Sequence, residues 1–144
     1  MFSTDPVTVV QSFIDAINAH TVAALCDLMT NDHEFVDSLG TVVRGREEMR
    51  KAWISYFYMI PDFTITCAAI FQHENGVALF GHAQGTYSTD GKLHDENRWK
   101  MPVAWRAIVR DGRVAQWHVY ADNEPLRQII AREHTHSMEN KKHA

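Results

Sequence analysis

Trp53-Ile54-Ser55-Tyr56-Phe57-Tyr58-Met59-Ile60-Pro61-Asp62-Phe63-Thr64-Ile65 is the stretch where this chain changes its period. Up to Pro61 the apolar residues Met49, Trp53 and Phe57, with Ile54 beside them, recur at helical spacing; beyond it the pattern alternates by twos. Proline has no amide proton for a helix interior and pushes the residue before it towards extended geometry, so the helix stops there. Four strand-like runs follow, at 63–71, 77–87, 99–109 and 114–121. Asn75-Gly76 and Asp111-Gly112 are tight-turn pairs that join antiparallel neighbours, and 88–97 is a longer polar loop.

Upstream, Asp5-Pro6 is a helix start, an acceptor cap followed by proline at the first helical position. Val9, Val10, Phe13, Ile14 and Ile17 then form one apolar stripe, which Asn18-Ala19-His20 breaks. Thr21 is placed to cap a second short helix carrying Leu25, Leu28 and Met29. Strand character at 33–37, a turn at Gly40 and a partner strand at 41–44 make a short hairpin. Gly45 opens the third helix, with Glu47 and Glu48 in its first turn, where negative charge suits the helix dipole. A last short helix runs from 122–125 to Ile130, and the polar tail 132–144 is expected to be disordered. Residues 1–131 are thus one domain of the α+β class. Helices gathered on one face of an antiparallel sheet define that class, and on a strongly curved sheet the three N-terminal helices would close over the concave face and leave an apolar pocket between them.

Composition narrows the function. With 144 residues the chain holds one ordinary domain, 45% hydrophobic and 22% charged, as soluble globular proteins are. A net charge of −4 with scattered Lys and Arg leaves no footprint for nucleic acid. No run approaches the roughly 20 apolar residues of a membrane span, and the N-terminus goes directly into an amphipathic pattern without a secretion signal. Cys26 and Cys67 are isolated, which suits buried thiols in a reducing cytosol, so a cytoplasmic location is expected.

Chemistry concentrates around Asp37. Phe35 and Asp37 are two apart, so on a strand the side that carries the aromatic ring also carries the carboxylate. One reading is a general base in an apolar pocket; the other is a cap for the turn Ser38-Leu39-Gly40-Thr41. His82 and Gln84 alternate with Gly81, Ala83 and Gly85. On the inner face they are a proton shuttle and a substrate contact; on the outer face they belong to the sheet's exterior. Phe13, Ile17, Phe35, Trp53, Phe57, Trp105 and Trp117 supply core and, for those at the cone's mouth, a lining for a mainly apolar ligand. No Cys/His spacing matches a metal site and no glycine-rich phosphate loop is present, so neither metal nor cofactor is expected. Strands with apolar residues on both faces, such as Ile70, Val77, Leu79 and Ile108, imply a homodimer through the outer sheet face.

The motifs Val9-Val10-Gln11-Ser12-Phe13, Phe35-Val36-Asp37, Arg44-Gly45-Arg46-Glu47 and Asp111-Gly112-Arg113-Val114 leading to Trp117 carry a family resemblance. Over about residues 6–131 the chain resembles the nuclear-transport-factor-like superfamily, in the branch of ketosteroid isomerases, limonene epoxide hydrolases and SnoaL-type polyketide cyclases. The resemblance implies a cone fold and cofactor-free proton-transfer chemistry (isomerase, cyclase or dehydratase type) on a small apolar carbonyl compound, or a binding domain that keeps only the pocket. It places Asp37 on the isomerases' catalytic aspartate, Phe13 on their oxyanion-hole tyrosine and Trp105 near their second donor. Val119 stands where the epoxide hydrolases carry an aspartate. Ala121 stands where the cyclases carry one, which leaves the adjacent Asp122 as a candidate acid–base group or, with Asn123, a helix cap.

Overall fold

The computed structural model describes residues 4–142, so the ends of the expected domain and tail, 1–3 and 143–144, lie outside the described residues. The first helix, α1 (Pro6–Asn18), starts as its sequence dictates: Asp5 Oδ2 accepts from the Thr8 amide at 3.1 Å and from its hydroxyl at 2.8 Å. Its apolar stripe is buried, Phe13 and Val10 completely. A short α2 (Val22–Asp27) follows, with Thr21 at the cap position although its hydroxyl makes no capping bond. Strand β1 (Met29–Val36) begins four residues earlier than the apolar pattern suggests, because Met29 already pairs with Val114 ahead of a bulge. After β2 (Val42–Arg44), helix α3 (Arg46–Met59) ends just before Pro61. Arg46 anchors its start by donating to the Met29 carbonyl.

The four later strands are β3 (Thr64–His73), β4 (Gly76–Thr86), β5 (Arg98–Arg110) and β6 (Arg113–Tyr120), with a 3-10 turn (Asp95–Asn97) before β5. The sheet order is β2-β1-β6-β5-β4-β3. All pairings are antiparallel except β1 with β6, so one parallel contact joins the early hairpin to the last strand. That pairing makes six strands one sheet. Bulges in β1, β3 and β6 bend it, since an extra residue on one strand adds local twist and curvature. In β3 the extra residue is Ala68, between Cys67 opposite Gly81 and Ala69 opposite Phe80. A Cβ on Gly81 would lie 1.8 Å from the Thr66 carbonyl oxygen, so only glycine admits this close approach.

α1 packs against β3, β4, β5 and β6 on the concave side. Asn18 fixes the helix end to β3 by imitating a strand: its side-chain oxygen accepts from the Ile65 amide at 2.8 Å, and its amide donates to the Ile65 carbonyl at 3.0 Å. At the far side of the same loop, Asp62 takes the Thr86 amide and hydroxyl, both at 2.7 Å, and so pins the α3–β3 turn to the end of β4.

Two expectations need correction. The final helix, α4 (Glu124–Lys142), does not stop at Ile130 but continues through the segment expected to be disordered. Leu126 and Ile129 are buried under it, and Arg132 ties its middle to the 3-10 turn by donating to the Glu96 carbonyl and the Asn97 side chain. The outer sheet face is also less apolar than the pattern implies. Val77 and Leu79 are core, whereas Phe71, Phe80 and Tyr120 are the large exposed apolar groups there.

Candidate functional site

Between α3, the concave sheet and the start of α4 lies a cavity of about 290 Å³. The strand registers explain its walls. Residues directly opposite each other in a sheet share a face. Trp99, Met101, Val103 and Trp105 of β5 point inward together, and Ala83 opposite Met101 joins them. Val119 opposite Trp105, and Phe35 opposite Trp117, continue the wall across β6 and β1. From α3 come Met49, Ala52, Trp53 and Tyr56, spaced at i, i+3, i+4 and i+7. All four tryptophans of the chain therefore line one cavity, and with Phe35, Tyr56 and Phe63 they make seven aromatic walls.

Few polar groups enter this space: Asp37 and Ser38 from the turn after β1, Tyr56 from α3, and Asn123 from the segment before α4. Asp37 caps its turn and also stands at the cavity. It lines the cavity, and its Oδ1 accepts from the Leu39 and Thr41 amides, each at 2.9 Å. Its Oδ2 has no hydrogen-bond partner among the described residues. Tyr56 packs edge-on against Trp53 and Phe63, and its hydroxyl likewise has no partner among the described residues. Burial pushes its phenol well above the ordinary tyrosine range, so it stays an O–H donor. The indole Nε1 atoms of Trp53 and Trp99 are buried without partners.

Of the residues singled out from sequence, Asp37, Ile17, Phe35, Trp53, Trp105, Trp117 and Val119 converge on the cavity. Five do not. Phe13 is fully buried behind the wall, 4.9 Å from the Trp117 ring, and supports the lining without reaching it. Phe57 turns away to stack on His20 at 4.0 Å, while His20 Nε2 lies 2.7 Å from the Phe63 carbonyl. His82 and Gln84 face outward, because Ala83 and Gly85, which alternate with them, pair with the inward Met101 and Trp99. Gln84 reaches only the Thr64 hydroxyl on the sheet's exterior. Asp122 is exposed, and its Oδ1 accepts from the Glu124 amide at 3.0 Å, the cap geometry of α4. Among the described residues no three His, Cys, Asp or Glu side chains gather as a metal site.

Sequence reading missed Tyr56 and, beside Trp105, the other inward residues of β5. For Tyr56 the signal was present, since it falls on the α3 stripe between Trp53 and Phe57; packing rather than spacing decides which of the two enters. Trp99, Met101 and Val103 follow from Trp105 by simple alternation. Nothing local marks Asn123, which the β6–α4 connection brings in.

A further buried group stands apart from the cavity. His33, fully enclosed, donates from Nδ1 to the Val114 carbonyl at 2.7 Å and packs against Phe13. A carbonyl only accepts, so the proton sits on Nδ1 and Nε2 is bare and unpartnered. Burial holds this imidazole below its ordinary value of 6.5, since protonation would add a second enclosed N–H with no acceptor.

Comparison with known proteins agrees with this architecture. Residues 10–117 match the family described as the SnoaL-like domain. Among curated proteins none matches the sequence. Among solved structures, IdmH from Streptomyces antibioticus, named as a candidate polyketide cyclase, superposes with a TM-score of 0.72 at 23% identity, covering 88% of this chain and 99% of that one. An LEH-like epoxide hydrolase of M. tuberculosis gives 0.73 at 15% identity, covering 90% and 92%. A ketosteroid-isomerase-like protein from Catenulispora acidiphila, solved in complex with trimethylamine, gives 0.67 at 18% identity, covering 78% and 83%. At these identities the likeness is one of fold.

Proposed function

The chain belongs to the SnoaL-like domain family, and from that premise we propose that it is a small-molecule enzyme performing proton transfer on an apolar carbonyl compound without a cofactor. One observation carries the reading: a single carboxylate, Asp37, opens onto an otherwise aromatic and aliphatic cavity with one oxygen uncommitted. An apolar enclosure with few polar groups selects apolar ligands and orients them by those groups. In this reading Asp37 removes a proton next to the carbonyl, and the Tyr56 hydroxyl donates to the carbonyl oxygen as charge develops on it. The resulting enolate takes a proton back at another carbon, adds to a second carbonyl, or expels a hydroxyl. These are the isomerase, cyclase and dehydratase outcomes. The candidate-cyclase name of IdmH and the hydrolase name of the M. tuberculosis protein, both of similar fold, support a small-molecule reading.

A second reading has its own support. Phe13 offers no hydrogen bond where the resemblance expects a donor, and Asp37 already holds a turn. A cavity-bearing domain that binds its ligand without turning it over fits those facts. The two are separated by following deuterium uptake at the α-carbons of a panel of cyclic ketones in D2O by NMR. The enzyme reading expects exchange well above buffer with the native protein and none above buffer with Asp37→Asn. A ketone that quenches tryptophan fluorescence but shows no exchange beyond buffer supports the binding reading. We place the protein in the cytoplasm as a homodimer formed through the outer face bearing Phe71, Phe80 and Tyr120; among the described residues no helix is long and apolar enough to cross a membrane.

A further inference from the structure

The cavity is lined by seven aromatic rings and one carboxylate, and its lining includes no lysine, arginine or histidine. That inventory has a sign. Ring faces carry negative electrostatic potential, and Asp37 adds the one charged side chain of the lining, so the charged and aromatic groups together favour a positive guest. The donors that remain, the Tyr56 and Ser38 hydroxyls and the Asn123 amide, are uncharged, and two of the four indole N–H groups are withdrawn. The Nε1 atoms of Trp53 and Trp99, the positive edges of those rings, are closed off within the wall even to water. What these indoles leave for a guest is therefore ring carbon. The walls also stand in different directions: Tyr56 is perpendicular to Trp53 and to Phe63, whereas Trp105 and Trp117 lie within 30° of each other at 6.2 Å. Tyr56 thus packs edge-on to two of its neighbours, so the aromatic walls do not form a single parallel slot for a flat neutral ring.

We propose that the ligand carries a positively charged, alkyl-substituted nitrogen, held against these aromatic walls with Asp37 as its counter-charge. The proposal rests on the cavity being the ligand site, not on catalysis. If the protein also transfers protons, a fixed cation in the ligand helps explain how a site with so few donors stabilises an enolate, because the ligand brings part of the compensating charge itself.

Because all four tryptophans line the cavity, their fluorescence reports occupancy directly. The test titrates the native protein with phenyltrimethylammonium and with tert-butylbenzene, which have nearly the same shape and differ by a charged nitrogen in place of carbon. The cation should bind at least ten-fold more tightly, and Asp37→Asn should bring that ratio down towards one while leaving the neutral probe unchanged. Equal or tighter binding of tert-butylbenzene to the native protein overturns the proposal and leaves the apolar cavity standing as the site. Quenching by neither probe overturns both. A ratio that stays at its native value in Asp37→Asn removes the carboxylate as counter-charge and overturns the proposal as stated.

Discussion

Asp37 is asked to do two jobs, and two substitutions separate them. Alanine removes the acceptor of the Leu39 and Thr41 amides, each 2.9 Å from Oδ1. The remaining bonds of the turn, from the Asp37 amide to the Thr41 carbonyl and from the Gly40 amide to the Asp37 carbonyl, are main-chain and survive. Each lost bond costs about 1 kcal/mol in a turn this close to solvent, about 2 kcal/mol for the pair. For a chain of this size that is a fall in melting temperature of about 4–8 °C. Asparagine presents an amide oxygen at the same place and accepts the same two amides, so its stability should stay within about 0.5 kcal/mol of native. Ketone exchange, if Asp37 is the base, should vanish in both. Thermal unfolding followed by circular dichroism, beside the deuterium-uptake assay, reads both quantities on the same samples. Asparagine melting as low as alanine would refute the turn-cap reasoning. Exchange that survives in asparagine would refute the base, whatever the melting curves show.

Three other outcomes are expected. Gly81→Ala puts a methyl 1.8 Å from a main-chain oxygen at the β3 bulge and should cost about 3 kcal/mol or more in urea unfolding; a loss below about 1 kcal/mol would mean that the bulge relaxes freely. His33 has its imidazole held below 6.5 in the folded chain, so its own contribution to stability levels off above that pH. As pH falls below 6.5 the unfolded chain takes the proton first and stability drops, by up to about 1.4 kcal/mol per unit, until the folded value is passed. Urea midpoints for native protein and His33→Gln between pH 7.5 and 5 check this, and equal slopes would remove His33 as the cause. Phe80→Glu, on the exposed outer face beside Phe71, should convert a dimer to monomer in sedimentation velocity without lowering the melting temperature of the isolated chain by more than about 1 kcal/mol's worth. A native protein that is already monomeric at micromolar concentration would end the dimer reading.

The elements with long, regular patterns were legible in the sequence because burial repeats along them. The α1 stripe, the stop at Pro61 and the alternation of β5 all survive into the structure, since each is fixed by local spacing and one buried face. Inward and outward assignment of β4 was not legible. Its run Gly81-His82-Ala83-Gln84-Gly85 offers small residues on one parity and polar ones on the other, and only pairing with Trp99 and Met101 tells which face has the cavity. The choice between Tyr56 and Phe57 failed for a related reason. Both lie on the α3 stripe, and His20, which reaches Phe57 from the loop after α1, draws it away by stacking. The parallel pairing of β1 with β6 links residues about eighty apart, and no periodicity in either strand announces it.

Where the polar groups of the cavity come from explains what such a fold can vary. The strands contribute aliphatic and aromatic side chains, and of the helices only Tyr56 adds a hydroxyl; Asp37, Ser38 and Asn123 all stand in connections. Connections tolerate change because few core contacts depend on them, whereas an inward strand residue such as Val103 or Trp105 is held on several sides. The cone can therefore keep its walls while its chemistry is rewritten at the turn after β1 and at the approach to α4. Fold and reaction are then recorded in different places along the chain. The apolar periodicities that identify this family say nothing of whether Asp37 abstracts a proton, pairs with a cation or merely closes a turn, and that choice lies with the few atoms facing Oδ2 across the cavity.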